Sequence, residues 1–165
     1  MHAEAVSHRE EAVVLLSYFV KYSGMHILDY VELIFQQLIA ILSQSLNDEN
    51  DILNISILTI VTELIIHNNQ SQNIRLQQLN IIIEVCVENL KDNSNLNKQE
   101  ISLKTVLSIL ENSNFKFKIY FDHPKLINAL IELLTKDSPK SSRNLALRIF
   151  GHIGAMDNEN LEKLW

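Results

Sequence analysis

The sequence predicts an all-α solenoid built from antiparallel helix pairs, and three observations lead there. Apolar residues recur at three- and four-residue intervals over segments of about eighteen residues, which buries one stripe of a helix. Only three Gly and two Pro interrupt 165 residues, too few for the turns of a β-sandwich or barrel. The pattern also repeats along the chain, with a shift of 44 residues bringing apolar columns into register.

The elements follow in order. A first helix spans roughly Ala5–Tyr22, with Val13, Leu16 and Val20 on one face and Gly24 placed to end it in the left-handed region. A second runs roughly over Ile27–Leu46 and a third over Ile52–His67. The third is rich in Ile and Val, yet a strand of that length exceeds the usual size threefold, so helix is expected. The fourth begins after Ser71, a candidate N-cap, and ends near Leu90. The fifth follows Asn97, with Glu100 three residues on as in a capping box. Residues 114–123 are aromatic and basic, either a short helix or an ordered connection. Pro124 opens a sixth helix after Asp122 and His123, and Ser138-Pro139 opens a seventh that reaches about Gly154. Asp157 is placed to cap an eighth, cut at Trp165.

The repeat is the decisive pattern. The 44-residue shift aligns Leu38, Ile82 and Leu126; Ile39, Ile83 and Ile127; Leu42, Cys86 and Leu130; and Leu46, Leu90 and Leu134. Each of these helices ends in a polar turn carrying Asp48, Asp92 or Asp137. The alternate helices carry small residues Ala12, Ser56, Ser102 and Ala146 at spacings of 44, 46 and 44. Val13, Ile57, Leu103 and Leu147 follow them by one residue, and Leu16, Ile60, Val106 and Phe150 by four. A small side chain at a crossing lets two helices approach, and large neighbours fill the groove. Two helices per ~40–47 residues is the HEAT/armadillo period, distinct from the 33–34 of ankyrin and tetratricopeptide units. The expected units are about 5–46, 50–90, 97–134 and a partial 138–165, or three and a half repeats. An ordinary antiparallel bundle is the plainer alternative.

Composition narrows the function classes. Ile and Leu make up more than a quarter of the chain, ample for a core. A formal charge of −6 and a pI of about 5.5 give no basic footprint for nucleic acid or an anionic membrane. Lone Cys86 excludes an internal disulfide and fits a reducing compartment. Met1-His2-Ala3-Glu4 does not open a signal peptide, and no apolar run reaches the ~18 residues of a membrane span. The expectation is a cytoplasmic protein. Asn, about one residue in ten, lies scattered between apolar positions rather than in a tract.

Few residues of the sequence carry chemistry. Neither a Gly-rich phosphate loop nor kinase Lys and Asp signatures are present. His67 follows Glu63 by one turn, but a metal needs further converging ligands. Cys86 stands in an Ile column and reads as core. Asp122 and His123, with Ser113 or Ser138, lack a nucleophile elbow and read as helix-start chemistry. Lys116 and Lys118 interleave with Phe115, Phe117, Tyr120 and Phe121, a pattern known from base stacking. Two lysines in an acidic chain favour a buried connection or a protein-contact edge instead. No catalytic, cofactor-binding or metal residue is assigned.

The segment Arg143-Asn144-Leu145-Ala146-Leu147-Arg148-Ile149-Phe150-Gly151-His152-Ile153-Gly154-Ala155-Met156-Asp157 carries a resemblance. It resembles a stretch in the helical region of target-of-rapamycin (TOR) kinases, members of the phosphatidylinositol-3-kinase-related kinases. The shared pattern is Arg143, Ala146, Arg148, then Gly151, Gly154, Ala155 and Asp157. The segments Lys98–Leu110, Tyr120–Pro124, Leu126–Leu134 and Tyr18–Leu42 look like the preceding TOR helices in order and spacing. Leu145 stands where the family has an acidic residue, and Asn158 where it has Pro. The resemblance implies a HEAT scaffold segment of a serine/threonine kinase of nutrient and growth signalling, with protein partners and no catalytic groups of its own. The partners implied are adjacent repeats of a longer chain and kinase-complex subunits, with neither nucleic acid nor direct membrane insertion. An independent HEAT adaptor, of the phosphatase-scaffold or transport-receptor type, is the alternative. A small hydrolase or metal enzyme is a third.

Three local expectations remain. Gly151 and Gly154 each cost roughly 1 kcal/mol against Ala in a helix, so close approach of a neighbouring backbone is expected there. Arg143 and Arg148 either pair with turn carboxylates such as Asp92 or Asp137 or are solvated. An interrupted last repeat implies an apolar patch at Ile149, Ile153, Leu161, Leu164 and Trp165 that promotes self-association.

Overall fold

The computed structural model describes residues 2–45, 51–67, 76–92, 94–112 and 122–156. Among these the chain is helical, without strands. The α-helices are α1 (His2–Ser23), α2 (Val31–Ser45), α3 (Asp51–His67), α4 (Leu76–Lys91), α5 (Leu96–Asn112), α6 (Pro124–Thr135) and α7 (Lys140–Met156). No helix among them is long and apolar enough to cross a membrane. Leu46, Asp48, Ser71, Ser113, the aromatic and basic stretch 114–121, Asp157 and the expected eighth helix lie outside the described residues.

The chain divides into two compact units, Met1–Ile82 and Ile83–Trp165, with the division falling inside α4. In the first unit α1 and α2 both pack on α3. α3 is buried around most of its circumference by Leu53, Ile57, Leu58, Ile60, Val61, Leu64 and Ile65, the mark of an interior helix. α2 presents a seam of Val31, Phe35, Leu38 and Leu42, all buried, at the i, i+4, i+7 and i+11 positions of one stripe. α1 and α2 are joined by a 3₁₀ helix, Gly24–Tyr30, where the sequence suggested the α-helix already beginning at Ile27. Its seven residues exceed the usual three or four. Ile27 is fully buried there, and the segment touches α1, α2 and α3, so tertiary contacts hold the tighter winding. α1 ends at Ser23, directly before Gly24.

In the second unit α5 and α6 both pack on α7. Pro124 occupies the first turn of α6, as its missing N–H favours. α5 starts differently from expectation. Asn95, not Asn97, caps it: the Asn95 side-chain oxygen accepts the Lys98 backbone N–H at 3.1 Å. Glu100 turns forward to Lys104, at 2.7 Å, rather than back in a capping box. Gln99 has another task. Its Nε2 donates to the Asp92 carbonyl at 2.9 Å and lies 3.4 Å from that of Leu90, satisfying carbonyls that the end of α4 leaves open.

The apolar columns found in the sequence are mostly buried. Leu38, Ile82 and Leu126 are core, and so are Leu42, Cys86 and Leu130. The small-residue column is uneven: Ser102 and Ala146 are fully buried, Ser56 is half-buried and Ala12 is exposed. Leu147, which the column places inside, is 56% exposed. Ile149 and Ile153 are buried, which removes them from the expected apolar patch. They point into the same core as Ala146 at i+3 and i+7. Leu161, Leu164 and Trp165 lie outside the described residues.

Candidate functional site

The segment singled out by its resemblance lies on α7 (Lys140–Met156). Helical geometry splits its residues between two faces. Ala146, Ile149 and Ile153 face the core, whereas Arg143, Leu147, Arg148 and Gly151 are exposed. The Arg148 guanidinium donates to Glu111 Oε1 on α5 at 2.8 Å. His152 Nε2 lies 3.2 Å from the same oxygen. One carboxylate thus ties two turns of α7 to the end of α5. Glu111 takes the place expected of Asp92 or Asp137. Nothing local in the sequence marks it, because the partners stand 37 and 41 residues apart. Arg143 makes no ion pair among the described residues.

Asp92 is occupied nearer home. Its carboxyl is held below the usual range first by the Ser94 hydroxyl, then by the Ser94 backbone N–H and Lys98. Ser94 N donates to Asp92 Oδ1 at 2.9 Å, and Lys98 Nζ stands 3.4 Å from Oδ2. This is a local turn that ends α4 and starts α5.

The close approach expected at Gly151 and Gly154 is not made by any of the described residues. Among the described residues, and apart from the chain neighbours and adjoining backbone of α7 itself, no atom comes within 4 Å of where a Cβ would sit on either residue. The side chain of Ala155 and all of Asp157 lie outside the described residues.

A second polar cluster joins α4 to α5 inside the core. Asn89 Nδ2 donates to Ser102 Oγ at 3.1 Å, and Ser102 Oγ donates to the Lys98 carbonyl at 2.8 Å. Both side chains are buried. Ser102 is thus more than a small residue at a crossing, since its hydroxyl satisfies a buried amide. Cys86 is fully buried beside it. Burial pushes its thiol up to about 12, against the smaller opposing effect of the Ser102 hydrogen bond. A thiol held so far from ionisation is no nucleophile at neutral pH. Iodoacetamide at neutral pH is expected to leave Cys86 unmodified in the folded chain and to label it fully in guanidinium. Rapid labelling of the folded chain, read by mass spectrometry, would contradict this burial.

The remaining candidates stay apart. His123 is buried, and its pKa is lowered by desolvation against the opposing charges of Asp122 and Glu84. It precedes Pro124 at the start of α6 and makes no side-chain cap. His67 stands 3.7 Å from Glu63, one turn away. No group of three or more His, Cys, Asp or Glu that could hold a metal converges among the described residues.

Comparison with known proteins agrees with the resemblance. The chain is 28% identical over 151 residues to the serine/threonine-protein kinase TOR of Arabidopsis thaliana. It is 26% identical over 150 residues to the TOR of Oryza sativa subsp. japonica and over 149 to tor1 of Schizosaccharomyces pombe. Each match covers 90% of this chain, and the chain spans about 6% of the length of each relative. No family model matches, and no solved structure matches. Over nine tenths of its length, then, this helical chain is related to one short segment of the TOR serine/threonine protein kinases.

Proposed function

We propose that this chain is a segment of a HEAT-type helical solenoid in a TOR-like serine/threonine protein kinase, and that it works as a non-catalytic scaffold. The observation that carries the reading is the match of nine tenths of the chain to about 6% of each TOR relative. So short a share leaves the kinase chemistry to other parts of the relatives. Packing of alternate helices supports the solenoid, with α1 on α3 in one unit and α5 on α7 in the other. Stacked hairpins place every second helix side by side in this way. The buried columns repeating at 44 residues support it further. In this reading the segment serves nutrient and growth signalling in the cytoplasm by shaping the assembly. Its partners are neighbouring repeats and subunits of the kinase complex.

Two measurements test the proposal. Transcript sequencing across both ends is expected to show a kinase domain in the same reading frame; a frame without one favours a stand-alone adaptor. Isothermal titration of the chain with Mg-ATP is expected to give no saturable heat. Saturable, magnesium-dependent binding would overturn the scaffold reading.

A further inference from the structure

Ser138 does not act as the helix cap that its place in the sequence suggests. α7 starts at Lys140, and the Pro139 carbonyl accepts a backbone hydrogen bond from Arg143 N at 3.1 Å. Ser138 stands one residue earlier, half-buried, and its hydroxyl makes no hydrogen bond among the described residues. Hydroxyls along the helices donate to carbonyls three or four residues back, as at Ser17, Ser43, Thr59, Ser102 and Thr135. Outside the helices, the serines and threonines among the described residues are Ser94 and Ser138. Ser94 Oγ is bound to Asp92. Ser138 is left with its hydroxyl free and a proline after it.

The connection between α6 and α7 has one backbone hydrogen bond of its own among the described residues, from Ser138 N to the Lys136 carbonyl at 2.8 Å. Opening it locally therefore costs little. Lys136 is already extended, with φ −83° and ψ 164°, and Pro139 disfavours helical backbone at Ser138. Pro139 also lacks an N–H, the feature that proline-directed kinases read in an extended substrate. Lys140 and Arg143, in the first turn of α7, are exposed and make no ion pair among the described residues. We propose that Ser138 is a phosphorylation site for a proline-directed serine/threonine kinase, and that its phosphate binds Lys140 and Arg143. In that step Ser138 Oγ attacks the γ-phosphorus of ATP. The new O–P bond replaces the bond to ADP, which leaves, and the hydroxyl proton passes to the kinase's base. The product sets a phosphate of about −1.5 to −2 charge, with three acceptor oxygens, beside two cations that outnumber Asp137. It thereby ties the connection to the start of α7. This goes beyond the scaffold reading and does not depend on it.

The folded 165-residue chain, incubated with Mg-ATP and each of two purified proline-directed kinases, one mitogen-activated and one cyclin-dependent, tests this. Mass spectrometry of the intact chain and of its peptides is expected to place one phosphoryl group on Ser138. Ser138→Ala should lack it, and Pro139→Ala should take it up at least about tenfold more slowly. Circular dichroism should show both variants as helical as the parent. Phosphorylation should raise the thermal midpoint by roughly 2–4 °C. The double variant Lys140→Gln, Arg143→Gln, once phosphorylated, should lose that gain. Label confined to a synthetic peptide of residues 130–146, label only elsewhere in the chain, or none with either kinase overturns the site. A midpoint unchanged or lowered by the phosphate overturns its binding to Lys140 and Arg143.

Discussion

Phe35→Ala is expected to lower the unfolding free energy by about 3–5 kcal/mol, whereas Phe19→Ala in dilute protein should change it by about 0.5 kcal/mol or less. The two residues belong to the same unit and to the same residue type. Phe35 is 1% exposed and among the largest fully buried side chains. It stands mid-seam on α2 between Val31 and Leu38, and α2 packs on α3. Removing the ring leaves a hole between two helices fixed on either side by other contacts, so collapse is incomplete and the cavity adds to the lost transfer energy. Phe19 already stands in water and gives up little. Urea melts of both variants, followed by circular dichroism at 222 nm (a wavelength fixed by the helix amide transition), make the comparison. Equal losses at the two positions would show that the faces of α1 and α2 have been assigned wrongly.

The same contrast shows what the sequence reveals and what it hides. α3 is legible to within a residue, because its apolar positions recur at helical spacing and Asp51 and His67 stand at its ends. The start of α6 is legible because Pro124 fixes it chemically. α1 is legible as a helix, and of the face read from the sequence (Val13, Leu16 and Val20) Val13 and Val20 are buried and Leu16 half-buried. Its second apolar face, with exposed Tyr18 and Tyr22, is not marked by that spacing. The 3₁₀ winding of Gly24–Tyr30 depends on contacts with three helices, which no local pattern encodes. At the start of α5, Asn95 and Asn97 offer the same capping chemistry. Asn95 takes the cap, and from there Gln99 reaches the carbonyls at the end of α4. Around the resemblance segment, the pattern identified Arg148 but not Glu111, its partner on another helix. The glycines of α7 suggested a crossing, yet among the described residues no neighbouring helix approaches either of them.

Ala146→Leu should destabilise the chain by about 1–3 kcal/mol, while Ala12→Leu should stay within about 0.5 kcal/mol of the parent. Both positions belong to one column in the sequence, four residues before Phe150 and Leu16 respectively. The structure separates them. Ala146 is 0% exposed on α7, a helix on which α5 and α6 both pack, and Ile149 and Ile153 close the same face. Three added carbons have no free volume there, so they force neighbouring side chains off their rotamers or move a helix. Ala12 faces solvent, where leucine costs little and keeps nearly the same helix propensity. Thermal melts read both variants. Each kcal/mol corresponds to a shift of roughly 2–4 °C in a chain of this size. If Ala146→Leu melts with the parent, the face of α7 that carries Ala146 is not the packed one. If Ala12→Leu falls as far as Ala146→Leu, the small residues mark a uniform row of crossings, and the outward face of α1 must be covered in the folded chain.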